Sequence, residues 1–233
     1  MMSSFIFAFV FGLCVPLIAS RFGKFLPTDP GTALALIWHR PRWPRGISSR
    51  RRPLLREKWM ELICYGIMWG FLLAFFFRVS DVTFAPQAHI WLKMLFCILA
   101  LLTAIDDQYY LLPDVLTIPL LFLGFGFSIW GGEMTPAASF AGAVYGYMLP
   151  TVSVLIVHPF MKDSFGGGDV KMLTALGAWF GLWGLSVLLM ISVVSFWVWS
   201  VVMRRRCGAY GPHLAFGAVL TLFLIHFQFI DFF

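Results

Sequence analysis

Apolar segments long enough to cross a lipid bilayer recur along this chain, and they constrain its fold more than any other feature. Residues 137–157, for example, carry no charged side chain, and a membrane-spanning helix needs about 20 apolar residues. The chain has 233 residues, of which 60% are hydrophobic and 12% charged, and its mean hydropathy is +0.85. These values lie outside the range of soluble domains. The sequence therefore predicts an integral membrane protein.

About eight apolar segments can be distinguished by length and hydropathy. They cover residues 4–20, 60–77, 90–105, 115–130, 137–157, two parts of 172–203, and 214–230. The stretch 172–203 is too long for one span, and GLWG at 181–184 is the expected place for it to fold into two. Only helices satisfy their own backbone polar groups in lipid at these lengths, since a barrel would show alternating segments of about ten residues. The predicted fold class is all-α, in a polytopic membrane protein.

The net charge of +6 is explained by membrane topology rather than by nucleic-acid binding. Arginines and lysines are concentrated between residues 21 and 58, and short positively charged loops stay on the cytoplasmic side. Because these charges follow the first apolar run instead of preceding it, we expect a retained first helix rather than a signal peptide. Threading the spans from this loop places Lys171 and residues 204–206 on the cytoplasmic side too. We expect no nucleic-acid partner.

The cysteines and histidines are scattered along the sequence. None of Cys14, Cys64, Cys97 and Cys207 forms a CxxC pair with another. The pattern suggests neither a disulfide framework nor a zinc site. We predict that the protein binds no metal.

Two aspartates are predicted to lie at the same cytoplasmic surface. Asp106 belongs to AIDDQYYLLPD, which closes the third span, and Asp169 belongs to FGGGDVKMLTALG, which opens the sixth. An aspartate costs about 2.5–3.5 kcal/mol at the centre of an inserted helix, so it usually lies at a membrane edge or serves a function. Two neighbouring carboxylates repel each other when both are ionised; one then keeps its proton, which suits the acid and base roles of hydrolysis. The alternative for Asp169 is an N-cap that accepts backbone N–H bonds.

Residues around the two aspartates have predicted supporting roles. Asp114 follows a proline and opens the fourth helix, so we expect it to be structural, as an N-cap. Gly166, Gly167 and Gly168 have no Cβ atoms. They are expected either to adopt positive φ and let an extended substrate backbone approach the carboxylates, or to form a plain turn.

Two glycine pairs have a spacing that favours close helix packing. Gly142 with Gly146, and Gly177 with Gly181, are each four residues apart. This GxxxG spacing lets helix backbones approach each other in a membrane. We expect a structural role for both pairs.

Three segments of the chain together resemble the type IV prepilin leader peptidases, which are GxGD-type aspartyl proteases: IDDQYYLLPDVLTIPLL, GGGDVKMLTALGAWFG and GAYGPHLAFGA. The resemblance covers residues 90–233. It implies that Asp106, which stands eight residues before the aspartate of the Leu-Pro-Asp element, is one catalytic residue and that Asp169 is the other. Lys171 matches a lysine of the family, with electrostatic tuning or substrate contact as its possible roles. The tripeptide at 210–212 is Tyr-Gly-Pro, where the family usually has Phe-Gly-Pro.

The resemblance also implies a reaction and a location. The family cleaves the short leader from type IV prepilins or from the related pseudopilins of type II secretion. The expected location is the bacterial inner membrane, with the active site facing the cytoplasm. The expected partners are the prepilin or pseudopilin substrate and the lipid bilayer, and the peptidase reaction is expected to need no cofactor.

The N-terminal part of the chain is where the resemblance weakens. The resemblance therefore predicts two parts of the chain. Residues 1–89 form two helices with a basic cytoplasmic loop, and residues 90–233 form the peptidase membrane domain. Many members of the family carry two CxxC pairs in this loop and also methylate the new N-terminal amine with S-adenosylmethionine. The loop here is shortened and has no cysteine, which argues against methylation. S-adenosylmethionine would be a cofactor only if that activity were retained.

Two other kinds of protein fit parts of the pattern. One is another GxGD membrane protease, such as a preflagellin-type peptidase. The other is a noncatalytic transporter or scaffold that uses Asp106 and Asp169 to bind ions. Replacing each aspartate by asparagine distinguishes a protease from a scaffold.

Overall fold

A computed structural model of the protein describes residues 2–22, 59–131, 134–157, 166–204 and 208–226. The predicted basic loop and the end of the predicted last span lie outside the described residues. Seven helical elements account for nearly all of the described chain, which contains no strand. They are α1 Met2–Phe22, α2 Trp59–Thr83, α3 His89–Tyr109, α4 Asp114–Gly126 with a π-helical extension Phe127–Gly131, α5 Pro136–Val157, α6 Gly167–Met203 and α7 Gly211–His226.

These helices have the length and hydropathy of a membrane domain. Four stretches among the described residues are long and apolar enough to cross a bilayer: Cys64–Val82, His89–Tyr109, Asp114–Gly131 and Gly167–Met203. Two shorter apolar helices are Ser4–Ser20 and Gly211–Ile225. The all-α, multi-pass membrane fold is confirmed, whereas the number of about eight spans and the division at residue 89 remain predictions.

Helix α6 is interrupted at the predicted position. Gly181 has φ 65° and ψ −173°, which no helix contains. Glycine populates this positive-φ region readily because it has no Cβ atom. The break separates two helical halves, which we call α6a (residues 167–180) and α6b (residues 182–203).

Contacts with α5 show that α6a and α6b run in opposite directions. A Cβ atom built on Gly142 would overlap the backbone of Gly177 and of Gly181, on either side of the break. A Cβ atom on Gly146 would instead meet Leu173 in α6a and Leu185 in α6b. From Gly142 to Gly146, one turn along α5, the contacted residue in α6a thus moves from Gly177 back to Leu173. On the other side of the break, the contacted residue moves from Gly181 on to Leu185. Helix α6 is therefore a helical hairpin that returns to the end of the bundle where it began.

Gly142 of the first GxxxG pair packs directly against Gly177 and Gly181 of the second, which confirms the predicted structural role of this spacing. The Cβ atom that Gly142 lacks would overlap the Gly177 carbonyl oxygen, and the one that Gly177 lacks would overlap the Gly142 carbonyl oxygen. Nearby, the Ser139 hydroxyl donates a 2.7 Å hydrogen bond to the Ala178 carbonyl. Backbones in this contact are therefore as close as two helices can approach.

Further contacts hold the hairpin against the other helices. The Trp179 indole N–H donates a 2.8 Å hydrogen bond to the Leu120 carbonyl of α4. A Cβ atom on Gly217 of α7 would meet Leu188 and Ser192 of α6b. The hairpin thus lies between α4 and α5 on one side and α7 on the other. Elsewhere in the bundle, α1 and α2 form a second close pair, since a Cβ atom on Gly12 would overlap the backbone of Gly70.

We expect Gly142→Val to destabilise the protein strongly, because the added side chain meets backbone atoms that cannot move aside. Overpacking a core typically costs about 1–3 kcal/mol, and this contact should lie at the upper end. Ala141→Val is the matched control, since Ala141 is exposed and also lies within α5. Thermal unfolding in detergent would measure both. Equal midpoints for the two variants would contradict the close contact.

Candidate active site

The end of α3 and the starts of α6 and α7 lie at the same end of the bundle. There, Asp106 of α3 contacts the first residue of α7. Asp106 lies in the last turn of α3 and is only 5% exposed. Its carboxylate oxygen Oδ2 accepts a 2.7 Å hydrogen bond from the backbone N–H of Gly211. The helix ends directly afterwards, because Tyr110 adopts a left-handed conformation and donates its backbone N–H to the Asp106 carbonyl. Bonds from an N–H to a carboxylate are stronger than those between neutral groups.

Glycine is required at position 211 by the closeness of this contact. A Cβ atom there would lie 2.8 Å from Oδ2 of Asp106 and 3.1 Å from its Cβ. Real Cβ atoms do not come this close to other heavy atoms. Any side chain at 211 would therefore push the Asp106 carboxylate away from its donor.

Asp169 lies in the first turn of α6a, at the mouth of the hairpin. The helix begins after Gly166, which is the N-cap residue. The Asp169 carboxylate accepts a hydrogen bond from the backbone N–H of Gly166. This places a negative charge at a helix N-terminus, where the helix dipole and the unpaired N–H groups stabilise it. Asp169 is therefore not the N-cap itself, but its carboxylate does satisfy the N-terminus of the helix.

The structure brings the two predicted aspartates to one site. Asp106 lies close enough for its negative charge to repel that of the Asp169 carboxylate, although the two residues are far apart in sequence. Tyr210, the residue before Gly211, lies beside them, because the charge of Asp169 also acts on its phenol. Burial raises the pKa of Tyr210, and the charge of Asp169 raises it further. Tyr210 is therefore a neutral phenol close to Asp169.

The three glycines before Asp169 have a different backbone conformation from the one predicted. None of them has a positive φ: Gly166 is extended at φ −76° and ψ 136°, and Gly167 and Gly168 are the first residues of the helix. Gly168 packs on the segment after α3, because a Cβ atom there would lie 2.9 Å from the Cβ of Leu112. Gly167 has no atom within 4 Å of its missing Cβ. The prediction of positive φ was wrong, and Gly167 is exposed at the start of the helix.

Lys171 and Asp114 form an ion pair at the rim of the site. The Lys171 ammonium lies 2.7 Å from Oδ1 and 2.6 Å from Oδ2 of Asp114, and both side chains are about half exposed, at 51% and 49%. The pair joins the second turn of α6a to the first turn of α4. Asp114 is not an N-cap, because Pro113 holds that position and the helix has no side-chain cap. That expectation was wrong, and the carboxylate instead binds the lysine.

Sequence reasoning missed two residues of the site. Ser192 of α6b is fully buried and lies 2.8 Å from the Tyr210 hydroxyl. Nothing in the sequence marks Ser192 among the other small residues of α6b. The signal for Tyr210 was its hydroxyl, at a position where the resembling family usually has phenylalanine.

Asp107, the chain neighbour of Asp106, lies outside the site. It is exposed, and its carboxylate accepts a 3.3 Å hydrogen bond from the Tyr65 hydroxyl of α2. Within the part of the chain that the structure describes, no group of three or more histidine, cysteine, aspartate or glutamate side chains is arranged to hold a metal ion. The prediction that the protein binds no metal remains a prediction.

We expect Gly168→Ala to lower the unfolding midpoint and Gly167→Ala to leave it unchanged or raise it. Alanine favours a helix over glycine by up to about 1 kcal/mol, and this gain is available at both positions. Only at position 168 does the new Cβ press on Leu112, at a cost of about 1–3 kcal/mol. Thermal unfolding of the two variants in detergent would measure the difference. A higher midpoint for both variants would contradict the packing described for Gly168.

Comparison with known sequences identifies the family of this segment. Residues 93–201, which contain both aspartates, match the type IV leader peptidase family. The chain is 39% identical over 179 residues to a prepilin leader peptidase/N-methyltransferase of Neisseria gonorrhoeae, covering 75% of this chain and 58% of the relative. It is 35% identical over 149 residues to the protein of the same name from Escherichia coli K12, covering 60% of this chain and 65% of the relative. A relative of that name from Pectobacterium carotovorum is 31% identical over 161 residues, covering 65% of this chain and 58% of the relative.

The chain thus spans less than two thirds of the length of these curated relatives. No solved structure matches it. The family match covers most of the stretch from α3 to α6, including the hairpin and both aspartates. The membrane segment 93–201 of this chain belongs to the type IV leader peptidase family.

Proposed function

We propose that this protein is a membrane aspartic endopeptidase that removes the leader peptide from type IV prepilins or from the pseudopilins of type II secretion. The observation that carries the proposal is the meeting of Asp106 and Asp169 at one site, each on a backbone N–H donor. The family match adds that relatives of this segment are named prepilin leader peptidases. Substrate and activity come to this chain as part of the proposal.

The proposed chemistry divides the acid and base roles between the two carboxyl groups. The ionised carboxylate takes a proton from a water molecule as the water oxygen attacks the carbonyl carbon of the scissile peptide bond. The protonated carboxyl group donates its proton to the carbonyl oxygen. The tetrahedral intermediate then collapses, the C–N bond breaks, and the amine leaves with a proton from the pair. The shared proton belongs to the pair, because coupled carboxylates titrate together.

The exposure of Gly166 and Gly167 supports access of a peptide to the start of α6a. No atom lies within 4 Å of the Cβ that Gly167 lacks, and this glycine is two residues before Asp169. A peptide backbone in an extended conformation can approach a surface most closely where side chains are missing. We therefore assign Gly166, Gly167 and Gly168 a supporting role, with Gly167 closest to the substrate. Lys171 supports the site through its ion pair with Asp114.

Charges at the same end of the bundle support a cytoplasmic active site in the inner membrane. Lys171 lies one turn of the helix from the site, and the hairpin brings Arg204, at the end of α6b, back to that end. Two further arginines follow in the sequence at 205 and 206. Positive charges are enriched in cytoplasmic loops. The two aspartates would then lie on the cytoplasmic side of the membrane, at the same helix ends as these basic residues.

The absence of cysteine from residues 23–58 supports peptidase activity without methylation. The relatives carry both activities in their names, and their matched regions leave more than a third of their length without a counterpart in these alignments. We propose that this chain needs no cofactor for the peptidase reaction. S-adenosylmethionine would enter only through a methylase activity.

We expect Asp106→Asn and Asp169→Asn each to lower the rate of leader removal by at least about 100-fold, the lower range for losing a general acid or base. Asp107→Asn is the matched control, since Asp107 is the adjacent carboxylate but is exposed and lies against α2. The rate of cleavage of a co-reconstituted prepilin would be measured in detergent or vesicles. If both asparagine variants cleave at the wild-type rate, the catalytic roles of the two aspartates are refuted. If the wild-type protein itself does not cleave the prepilin, a transporter or scaffold function would replace the protease.

We expect the mature pilin released by this protein alone to carry an unmodified N-terminal amine. Mass spectrometry of the product, with S-adenosylmethionine present, would measure the N-terminal mass and locate the cleaved bond. An added methyl group would show that the methylase activity is retained without the cysteine pairs.

A further inference from the structure

The turn before α7 links three parts of the site through two hydrogen bonds. The backbone N–H of Gly211 binds Asp106 of α3 at 2.7 Å. The side chain of the preceding residue, Tyr210, meets Ser192 of α6b at 2.8 Å between the hydroxyl oxygens. The Tyr210 ring also packs edge-on against Phe196, with ring centroids 5.7 Å apart. One short turn therefore contacts both Asp106 and the hairpin that carries Asp169.

The direction of the bond between Tyr210 and Ser192 follows from the second contact of the serine. The Ser192 hydroxyl donates to the Leu189 carbonyl at 2.9 Å. A serine hydroxyl has one hydrogen and can accept as well as donate. Tyr210 is therefore the donor to Ser192. Because Ser192 is fully buried, water does not compete for this bond.

Ser192 and Asp169 lie at the same level of the hairpin. Asp169 is 12 residues before Gly181 (181 − 169) and Ser192 is 11 residues after it (192 − 181). At 1.5 Å per residue these are about 18 Å and about 17 Å along antiparallel helices. The Tyr210 hydroxyl therefore reaches the hairpin beside Asp169, in agreement with the action of the Asp169 charge on Tyr210.

We propose that Tyr210 and Ser192 are positioning residues that set the spacing between Asp106 and Asp169. Asp106 is tied to the start of α7 through Gly211, and the start of α7 is tied to the hairpin through Tyr210 and Ser192. Loss of the second bond lets the Gly211 N–H, and with it Asp106, shift relative to Asp169. The inference rests on the proposed peptidase function. Asp106 keeps its own hydrogen bond to Gly211 when the second bond is lost, so the loss of activity should be partial.

Removal of either hydroxyl tests the pair. Tyr210→Phe keeps the ring and its contact with Phe196, and Ser192→Ala removes the acceptor. We expect each to lower kcat for leader removal about fivefold to tenfold, the range of one net hydrogen bond, with KM changed less than about twofold, because the pair affects the carboxylates rather than substrate binding. The double variant should lose no more than either single variant, since both remove the same bond.

Ser186→Ala is the matched control. Ser186 lies on the same helix, and its hydroxyl donates to the Leu182 carbonyl of that helix at 2.9 Å, so this bond does not hold the start of α7. We expect wild-type kcat for this variant, and Ser192→Thr, which keeps a hydroxyl, should restore much of the activity lost in Ser192→Ala. Unfolding midpoints of all variants would be measured in parallel.

Two results would overturn the inference. One is wild-type kcat in both Tyr210→Phe and Ser192→Ala, and the other is an equal loss in Ser186→Ala, which would indicate general weakening of α6b. If the asparagine variants of Asp106 and Asp169 are inactive in the same assay, either result leaves the proposed function standing. If those variants remain active, the proposed function itself fails.

Discussion

Carboxylates at the boundary of a membrane need hydrogen-bond donors, and the ends of helices are where such donors are available. An unpaired charge in an apolar environment costs several kcal/mol, and the first backbone N–H groups of a helix have no partner within it. Here the N–H of Gly211 at the start of α7 binds Asp106, and the N–H of Gly166 at the start of α6 binds Asp169. The start of α7 must therefore meet the end of α3, whereas Asp169 uses the start of its own helix. The rest of the fold can be understood as the means of bringing these three ends together.

The hairpin in α6 is the main element that achieves this. Because Gly181 reverses the chain, α6b returns to the end where Asp169 lies, and α7 can begin there. The contact between Gly142 and Gly177 fixes the hairpin against α5 with backbones touching. Ser192 on α6b then meets Tyr210, next to the glycine that holds Asp106. Spacing of the carboxylates thus depends on glycine at positions remote from the chemistry.

Much of this architecture could be predicted from the sequence, because hydropathy, glycine spacing and acidic residues each have a direct physical meaning in a membrane. The apolar runs predicted the helices, GLWG predicted the break at Gly181, and the GxxxG pairs predicted a close helix contact. Asp106 and Asp169 were predicted to share one surface, and the structure places them within electrostatic reach. What could not be predicted depends on tertiary contacts. That Gly142 faces Gly177, that Lys171 binds Asp114, and that Ser192 meets Tyr210 follow only from how the helices pack. The prediction of positive φ for the glycines before Asp169 was wrong, because positive φ and close packing both favour glycine. At Gly168 the position of Leu112 in the structure shows that the reason is packing.

Cross-linking measures the central claim most directly, since it reports the proximity of the two positions without requiring activity. With the four native cysteines replaced by serine, Asp106→Cys and Asp169→Cys would be combined and treated in the membrane with a short bifunctional thiol reagent. Cleavage of the chain at a protease site inserted between them would reveal whether the halves stay joined. We expect efficient joining for this pair and little for Asp107→Cys with Asp169→Cys, because Asp107 lies against α2. Equal joining of both pairs, or none of the first, would contradict the convergence of Asp106 and Asp169 on one site.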